Sequence, residues 1–156
     1  MGERTFRAAL IVGCTAAAVA ALDLTHKAHA LDSGSAVTGH ERSGVYLIGV
    51  TVLLGVWAAA LVLCGSRSIA LAGGIVGGGA TGNVASLALW PSFAGVANPL
   101  VARGVAFSIG DVAVGTGLAL VLAATVAFAV RNPERLRQPI AFRRASGDSH
   151  ETAVQG

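Results

Sequence analysis

The side chains able to do chemistry in this 156-residue chain lie at the ends of apolar runs. Residues 95–111, GVANPLVARGVAFSIGD, place Asp111 at the mouth of a long apolar stretch, with Asn98 and Arg103 in a Pro-broken loop ahead of it. At a bilayer centre an Asp costs about 2.5–3.5 kcal/mol, and less near the interface, so an acid in such a position is a candidate site by default. The bland reading of Asp111 is an interfacial helix cap touching water. Asp23 closes the first apolar run and Asn83 lies near the end of the third. An unpaired amide in hydrocarbon costs several kcal/mol, so Asn83 is expected to hydrogen-bond within a bundle or face a wet cavity. A carboxylate can move a proton or hold a positive charge, whereas an amide can only orient.

The elements that must position these residues follow from composition. The chain is 54% hydrophobic and 12% charged, with mean hydropathy +0.70; a soluble domain would hold about 25% charged residues. The apolar residues come in long blocks, not amphipathic stripes, which predicts an all-α integral membrane protein of one domain. Its expected four transmembrane helices cover residues 8–24, 45–64, 69–90 and 105–130, joined by small extracytoplasmic loops. The membrane domain takes in residues 1–136, and residues 137–156 form a disordered cytoplasmic tail, too poor in apolar residues to fold. Asp111 would lie about 9 Å into the fourth span at 1.5 Å per residue. Residues 25–44 are expected to be a polar loop.

The third run carries Gly73, Gly74, Gly77, Gly78, Gly79 and Gly82. Gly73/Gly77 and Gly74/Gly78 are small-xxx-small spacings that let helix backbones approach closely. Cys14 and Cys64 lie in apolar blocks and are expected to be inert buried thiols. Ile11-Val12-Gly13-Cys14 has the look of a lipidation site, but only five apolar residues separate Arg7 from Gly13, too few for a signal-peptide core. His26 and His29 share i, i+3 spacing without further convergent ligands. No metal and no cofactor are expected. The basic residues flank the apolar blocks instead of forming a surface with interleaved aromatics, so nucleic acid is not an expected partner and membrane lipid is.

Placing both termini in the cytoplasm puts eight of the eleven Lys and Arg residues inside, with Lys27, Arg42 and Arg103 outside, as the positive-inside rule requires. This is the arrangement of a multi-pass protein of the cell inner (plasma) membrane. Asp23, Asn83, Asn98 and Asp111 then converge on one level, the outer interface. No span carries a charge near the midplane, where transporter sites lie, which disfavours a small transporter.

Over residues 8–130 the chain resembles signal peptidase II, the lipoprotein signal peptidase family. Ala21-Leu22-Asp23-Leu24-Thr25-His26-Lys27 is similar to the family's Leu-Asp-x-x-(Thr/Ser)-Lys stretch. Gly73-Gly74 through Gly82-Asn83-Val84 is similar to its Gly-Gly-x-x-Gly-Asn-Leu stretch. Gly95-Val96-Ala97-Asn98 resembles the segment carrying one catalytic Asp, and Phe107-Ser108-Ile109-Gly110-Asp111 the segment carrying the other. The resemblance implies four transmembrane helices and an aspartic endopeptidase that cuts the signal peptide from diacylglyceryl-modified prolipoproteins. It further implies catalysis at Asp111 and at position 98, with Asp23, Lys27, Asn83, Arg103 and Ser108 around the substrate.

The chain departs from that pattern where the chemistry is most demanding. Asn98 stands at the first catalytic Asp, Ser86 and Leu87 replace an Asp-Arg pair, and Ser108 and Gly110 replace Asn and Ala. No counterpart of the family's Asn-x-Gly segment follows the first helix. An aspartic dyad needs one carboxylate as base toward water and one carboxyl as donor to the scissile carbonyl. Asn98 exchanges no proton near neutral pH. Two readings follow: a peptidase whose activity is weak or lost, and a non-catalytic relative that holds a lipidated helix or a partner membrane protein in the same groove. Were Arg103 to pair with Asp111, it would hold that carboxylate ionised and make it a poor acid.

The topology has a direct test. With Cys14 and Cys64 replaced, a membrane-impermeant thiol reagent applied to intact cells is expected to label Ser35→Cys and spare Ser149→Cys; the reverse pattern would invert the orientation.

Overall fold

The computed structural model describes residues 2–35, 37–40, 44–64, 66–91 and 96–134. Four helices dominate them: α1 (Glu3–Asp32), α2 (Gly44–Cys64), α3 (Arg67–Leu89) and α4 (Ile109–Arg131). Four three-residue strands accompany them, β1 (Thr38–His40), β2 (Val96–Asn98), β3 (Leu100–Ala102) and β4 (Val105–Phe107). The protein is therefore mostly helical, with four short strands beside the helices. Among the described residues, α1 and α4 are long and apolar enough to cross a membrane. The tail at 137–156 lies outside the described residues.

The first helix runs well past the expected boundary at residue 24. Nothing between Gly13 and Ser33 breaks a helix, and the first stop signal is Gly34. There the chain turns at φ 68°, with Gly34 N–H donating to Leu31 O (3.2 Å) and Ser35 N–H to Ala30 O (3.0 Å). That pair of bonds is a Schellman closure, which satisfies carbonyls at the helix end and favours glycine at the left-handed position. The segment expected as a loop from residue 25 is thus helical through Asp32. The polar residues after Asp23 stay in register with the buried face: Ala20, Asp23, Lys27 and Ala30 are all buried, at the 3–4 residue spacing of one helical face.

The fourth helix also starts later than expected, at Ile109. Residues 100–107 form a hairpin, β3 against β4, with Ala102 opposite Val105. Its two-residue turn takes positive φ at Arg103 (52°) and Gly104 (81°), the signs of a type I′ turn, whose twist matches that of the flanking strands. Asp111 is consequently the third residue of α4, not a residue one and a half turns inside a span. The strand β2 pairs antiparallel with β1, with Thr38 opposite Asn98 and His40 opposite Val96. This short ladder ties the segment after α1 to the segment before α4.

Helix α3 is the centre of the bundle, packing most extensively on α1 and α4 and less on α2. Its buried face is small: Ala70, Ala72, Gly74, Gly78, Gly79, Ala80 and Gly82 are all interior. Close approach is the reason. A methyl group at Gly78 would lie 2.5 Å from Ala16 O and 2.7 Å from Val19 Cβ of α1. On the opposite side, Gly79 abuts the carbonyl of Gly110 in α4. Ile69 and Val76 of α3 are also buried, but many large apolar side chains point outward, including Val52, Leu53 and Val56 on α2 and Leu118, Leu122, Val126 and Val130 on α4. Cys14 is exposed on α1, which corrects its expected burial.

Of Gly74, Gly77 and Gly78, Gly77 is the tolerant one. A methyl there meets nothing nearer than Ala16 Cβ at 3.9 Å, ordinary van der Waals contact. Gly78→Ala is expected to destabilise the bundle by about 1–3 kcal/mol, the usual cost of overpacking, while Gly77→Ala leaves it nearly unchanged. Thermal unfolding of the two variants in detergent checks the difference, and equal melting temperatures would contradict the packing described.

Candidate functional site

At one end of the bundle, α1, α3 and α4 bring together five polar side chains far apart in sequence. Asp23 and Lys27 are one turn apart on the buried face of α1, both with fully buried side chains, and Lys27 Nζ donates to Asp23 Oδ2 at 2.6 Å. A charge this deep is tolerable only when paired and fully hydrogen-bonded. Lys27 therefore also donates to Asn83 Oδ1 on α3 (2.7 Å). Asp23 Oδ1 accepts the backbone N–H of Gly110 in the first turn of α4 (2.6 Å). Helix starts expose unpaired N–H groups and partial positive charge, so a carboxylate there is doubly favourable. Gly82 makes room for this contact, since a methyl at that position would lie 2.6 Å from Asp23 Oδ2.

Asn83 joins the ion pair to Asp111. With its Oδ1 committed to Lys27, its Nδ2 donates to Asp111 Oδ1 (2.9 Å). Asp111 and Ser108 form a capping box at the start of α4. Ser108 N–H donates to Asp111 Oδ2 (2.9 Å), and Asp111 N–H donates to Ser108 Oγ (3.2 Å). Such reciprocal capping is the local reason that α4 begins where it does. The Ser108 hydroxyl carries one proton and has two acceptors in reach, Asn83 Oδ1 at 3.0 Å and Asp111 Oδ2 at 3.1 Å. Behind them, the buried Ser86 hydroxyl donates to the Asn83 carbonyl (2.8 Å).

Asn98 reaches the same place from β2. It is 5% exposed, and its Oδ1 is buried without a hydrogen-bond partner among the described residues. Asn83, Asn98 and Asp111 line a cavity of about 470 Å³ enclosed by α2, α3, α4, β2 and β4. Its remaining lining is apolar, with Leu54, Val76, Val96 and Phe107 among the walls. A mostly apolar cavity of this size with a few convergent polar groups has the general character of a ligand site.

The structure thus gathers six of the seven sequence-derived candidates. Asn83, Asn98 and Asp111 face the cavity, while Asp23, Lys27 and Ser108 support it from behind. Arg103 stands apart, exposed at the tip of the β3–β4 hairpin. Among the described residues, the ion pairs are Arg7–Glu3 and Lys27–Asp23, so Arg103 does not hold Asp111. Asp111 is at once a helix cap and an exposed carboxylate, as its bland reading has it, and it also lines the cavity. Two partners escaped sequence reasoning: the Gly110 N–H, which has no side-chain signal, and Ser86, whose type alone carries none. No family model, curated protein or solved structure matches the chain.

The dependence of the site on the buried pair is measurable. Lys27→Met leaves Asp23 as an uncompensated buried charge and is expected to cost about 3–5 kcal/mol. Adding Asp23→Asn, which retains an acceptor for Gly110 N–H, is expected to recover much of that loss. Thermal unfolding in detergent of the single and double variants provides the readout.

Proposed function

We propose that this chain is a divergent integral membrane protein of the signal peptidase II type, whose groove receives a lipidated membrane segment and whose cleavage chemistry is weak or lost. The observation that carries the reading is the meeting of Asn98 and Asp111 on one cavity. In the family it resembles, those positions hold the two carboxylates of an aspartic dyad. They come from β2 and from the start of α4, and nothing local in the sequence requires them to converge.

The membrane setting is supported by the outward-facing Val and Leu side chains of α2 and α4, since an apolar surface of that extent is unfavourable in water. α2, α3 and α4 contain 21, 23 and 23 residues, about 32–35 Å at 1.5 Å per residue, against a hydrocarbon core of about 30 Å. α2 contains no charged residue. With α1 they make four spans in the inner membrane, both termini cytoplasmic, as the distribution of basic residues favours.

The residues divide the labour of peptide hydrolysis unevenly. Asp111 can act as base toward a water, held in position by Asn83 and Ser108. Asn98 can orient that water or a scissile carbonyl, but it has no proton to exchange. The donor half of the dyad is missing, which favours the second reading, a protein that binds a lipidated segment or partner membrane protein without cutting it.

The native chain is therefore expected to process a diacylglyceryl-modified prolipoprotein far more slowly than a complete dyad. General acid–base help is worth about 10²–10⁴-fold, so Asn98→Asp is expected to raise cleavage toward that range, and Asp111→Asn in the same background to abolish it. Gel-shift cleavage with purified protein in detergent is the assay. Efficient cleavage by the native chain that survives Asp111→Asn would overturn the reading.

A further inference from the structure

Two acceptors on residues that line the cavity lack a complement among the described residues. Asn98 Oδ1 is buried with no donor among the described residues. Asp111 has its hydrogen bonds from Asn83 and Ser108, yet among the described residues no cation pairs with it. Lys27, the cation nearest in the network, is taken up by Asp23 and by the Asn83 oxygen. The cavity therefore combines apolar walls, a buried acceptor with no donor among the described residues and an exposed carboxylate with no cation paired to it among them. A buried acceptor left unpaired weakens the empty state, and the exposed Asp111 carboxylate is open to a cation entering the cavity.

The ligand that meets both needs is a cation bearing N–H groups on an apolar body. A metal ion is a poor fit: one carboxylate and an amide oxygen fall short of a hard cation's oxygen shell, and no group of three or more His, Cys, Asp or Glu comes together among the described residues. A peptide N–H would satisfy Asn98 but leave Asp111 unbalanced. A primary ammonium supplies three donors and the charge.

We infer that the cavity binds a primary ammonium group carried on an apolar, lipid-bearing body. This rests on the signal peptidase II-type reading for the identity of that body. Hydrolysis of a prolipoprotein peptide bond liberates a free α-amino end on the lipidated product, which the uncut precursor lacks. The natural occupant is then the mature end of a lipoprotein, after a peptidase with a complete dyad has acted. Replacement of an acid by Asn98 fits a site that receives a product: it removes the donor half of the cleavage machinery and keeps an acceptor for the new amine.

The test is direct binding to the purified full-length protein in detergent, followed by fluorescence anisotropy. Three probes are compared: a dye-labelled dipalmitoylglyceryl-cysteinyl peptide with a free α-amino end, the same lipopeptide N-acetylated, and dodecylamine as an unlabelled competitor. The free amine is expected to bind at least about 10-fold more tightly than its acetylated twin, the scale of a charge-assisted contact. Asp111→Asn, which still offers an acceptor to Ser108 N–H, is expected to erase that preference. The acetylated comparison uses the native chain, so it does not depend on how a variant folds. Equal binding of both lipopeptides would overturn the ammonium inference and leave the lipidated-segment groove standing. Dodecylamine displacing the probe as effectively as unlabelled lipopeptide, in an Asp111-dependent way, would uphold the ammonium site and overturn the lipoprotein assignment. Absence of binding by any probe would overturn both.

Discussion

A lysine and an aspartate with no access to solvent hold this end of the bundle together. Lys27 and Asp23 would each be prohibitive in an apolar interior if alone, and even as a pair they need their remaining hydrogen-bonding capacity met. That requirement fixes the neighbours. Asp23 must have a second donor, which the first turn of α4 supplies through Gly110. Lys27 must have a second acceptor, which α3 supplies through Asn83. Three helices are thus pinned at one height by the demands of a single ion pair. Asp111 is oriented as a result, because Asn83 with its oxygen engaged can only present its amide nitrogen. The glycines of α3 serve the same end: these bonds of 2.6–2.7 Å are possible only where backbones approach within a methyl group of one another.

Much of this was legible in the sequence, and the rest was illegible for definite reasons. Asp23, Asn83 and Asp111 stood out because each is a polar residue at the end of an apolar run, and their convergence followed from counting spans. The apolar block at 45–64 coincides with α2, since an uninterrupted run has little else to do. Hydropathy drops after Leu24, yet α1 continues to Asp32. Lys27 looks like a loop residue to a hydropathy argument, yet it and Asp23 are the partners that permit each other's burial. The real stop, Gly34, was visible as a residue type, but its weight depends on the Schellman bonds around it. The hairpin at residues 100–107 escaped because its turn, Arg103-Gly104, holds a non-glycine residue at positive φ, where Asn or Asp is the usual signal. Which member of a glycine run faces a neighbouring backbone is a matter of helix rotation, so composition could not separate Gly78 from Gly77.

The cavity and its supports have different chemical characters. Supporting residues are committed: Asp23 and Lys27 have no solvent contact and no spare partner. The lining residues are less committed, with an oxygen on Asn98 that has no partner among the described residues and an exposed carboxylate on Asp111. A scaffold that resolves its own electrostatics internally, and leaves uncompensated groups on one wall, concentrates its capacity for recognition there.

The Ser108 hydroxyl gives that wall a particular compliance. Its single proton lies between two oxygens at 3.0 and 3.1 Å, one on Asn83 and one on Asp111. A ligand that draws on Asp111 Oδ2 need not leave the hydroxyl stranded, because a rotation about one C–O bond hands its proton to Asn83 instead. Meanwhile Ser108 N–H still anchors the carboxylate, and Ser108 Oγ still caps α4 through Asp111 N–H. The carboxylate can therefore exchange one partner for another with the heavy atoms nearly still. Occupancy of the cavity and integrity of the helix start are thereby uncoupled, so the site can fill and empty without loosening the fold that builds it.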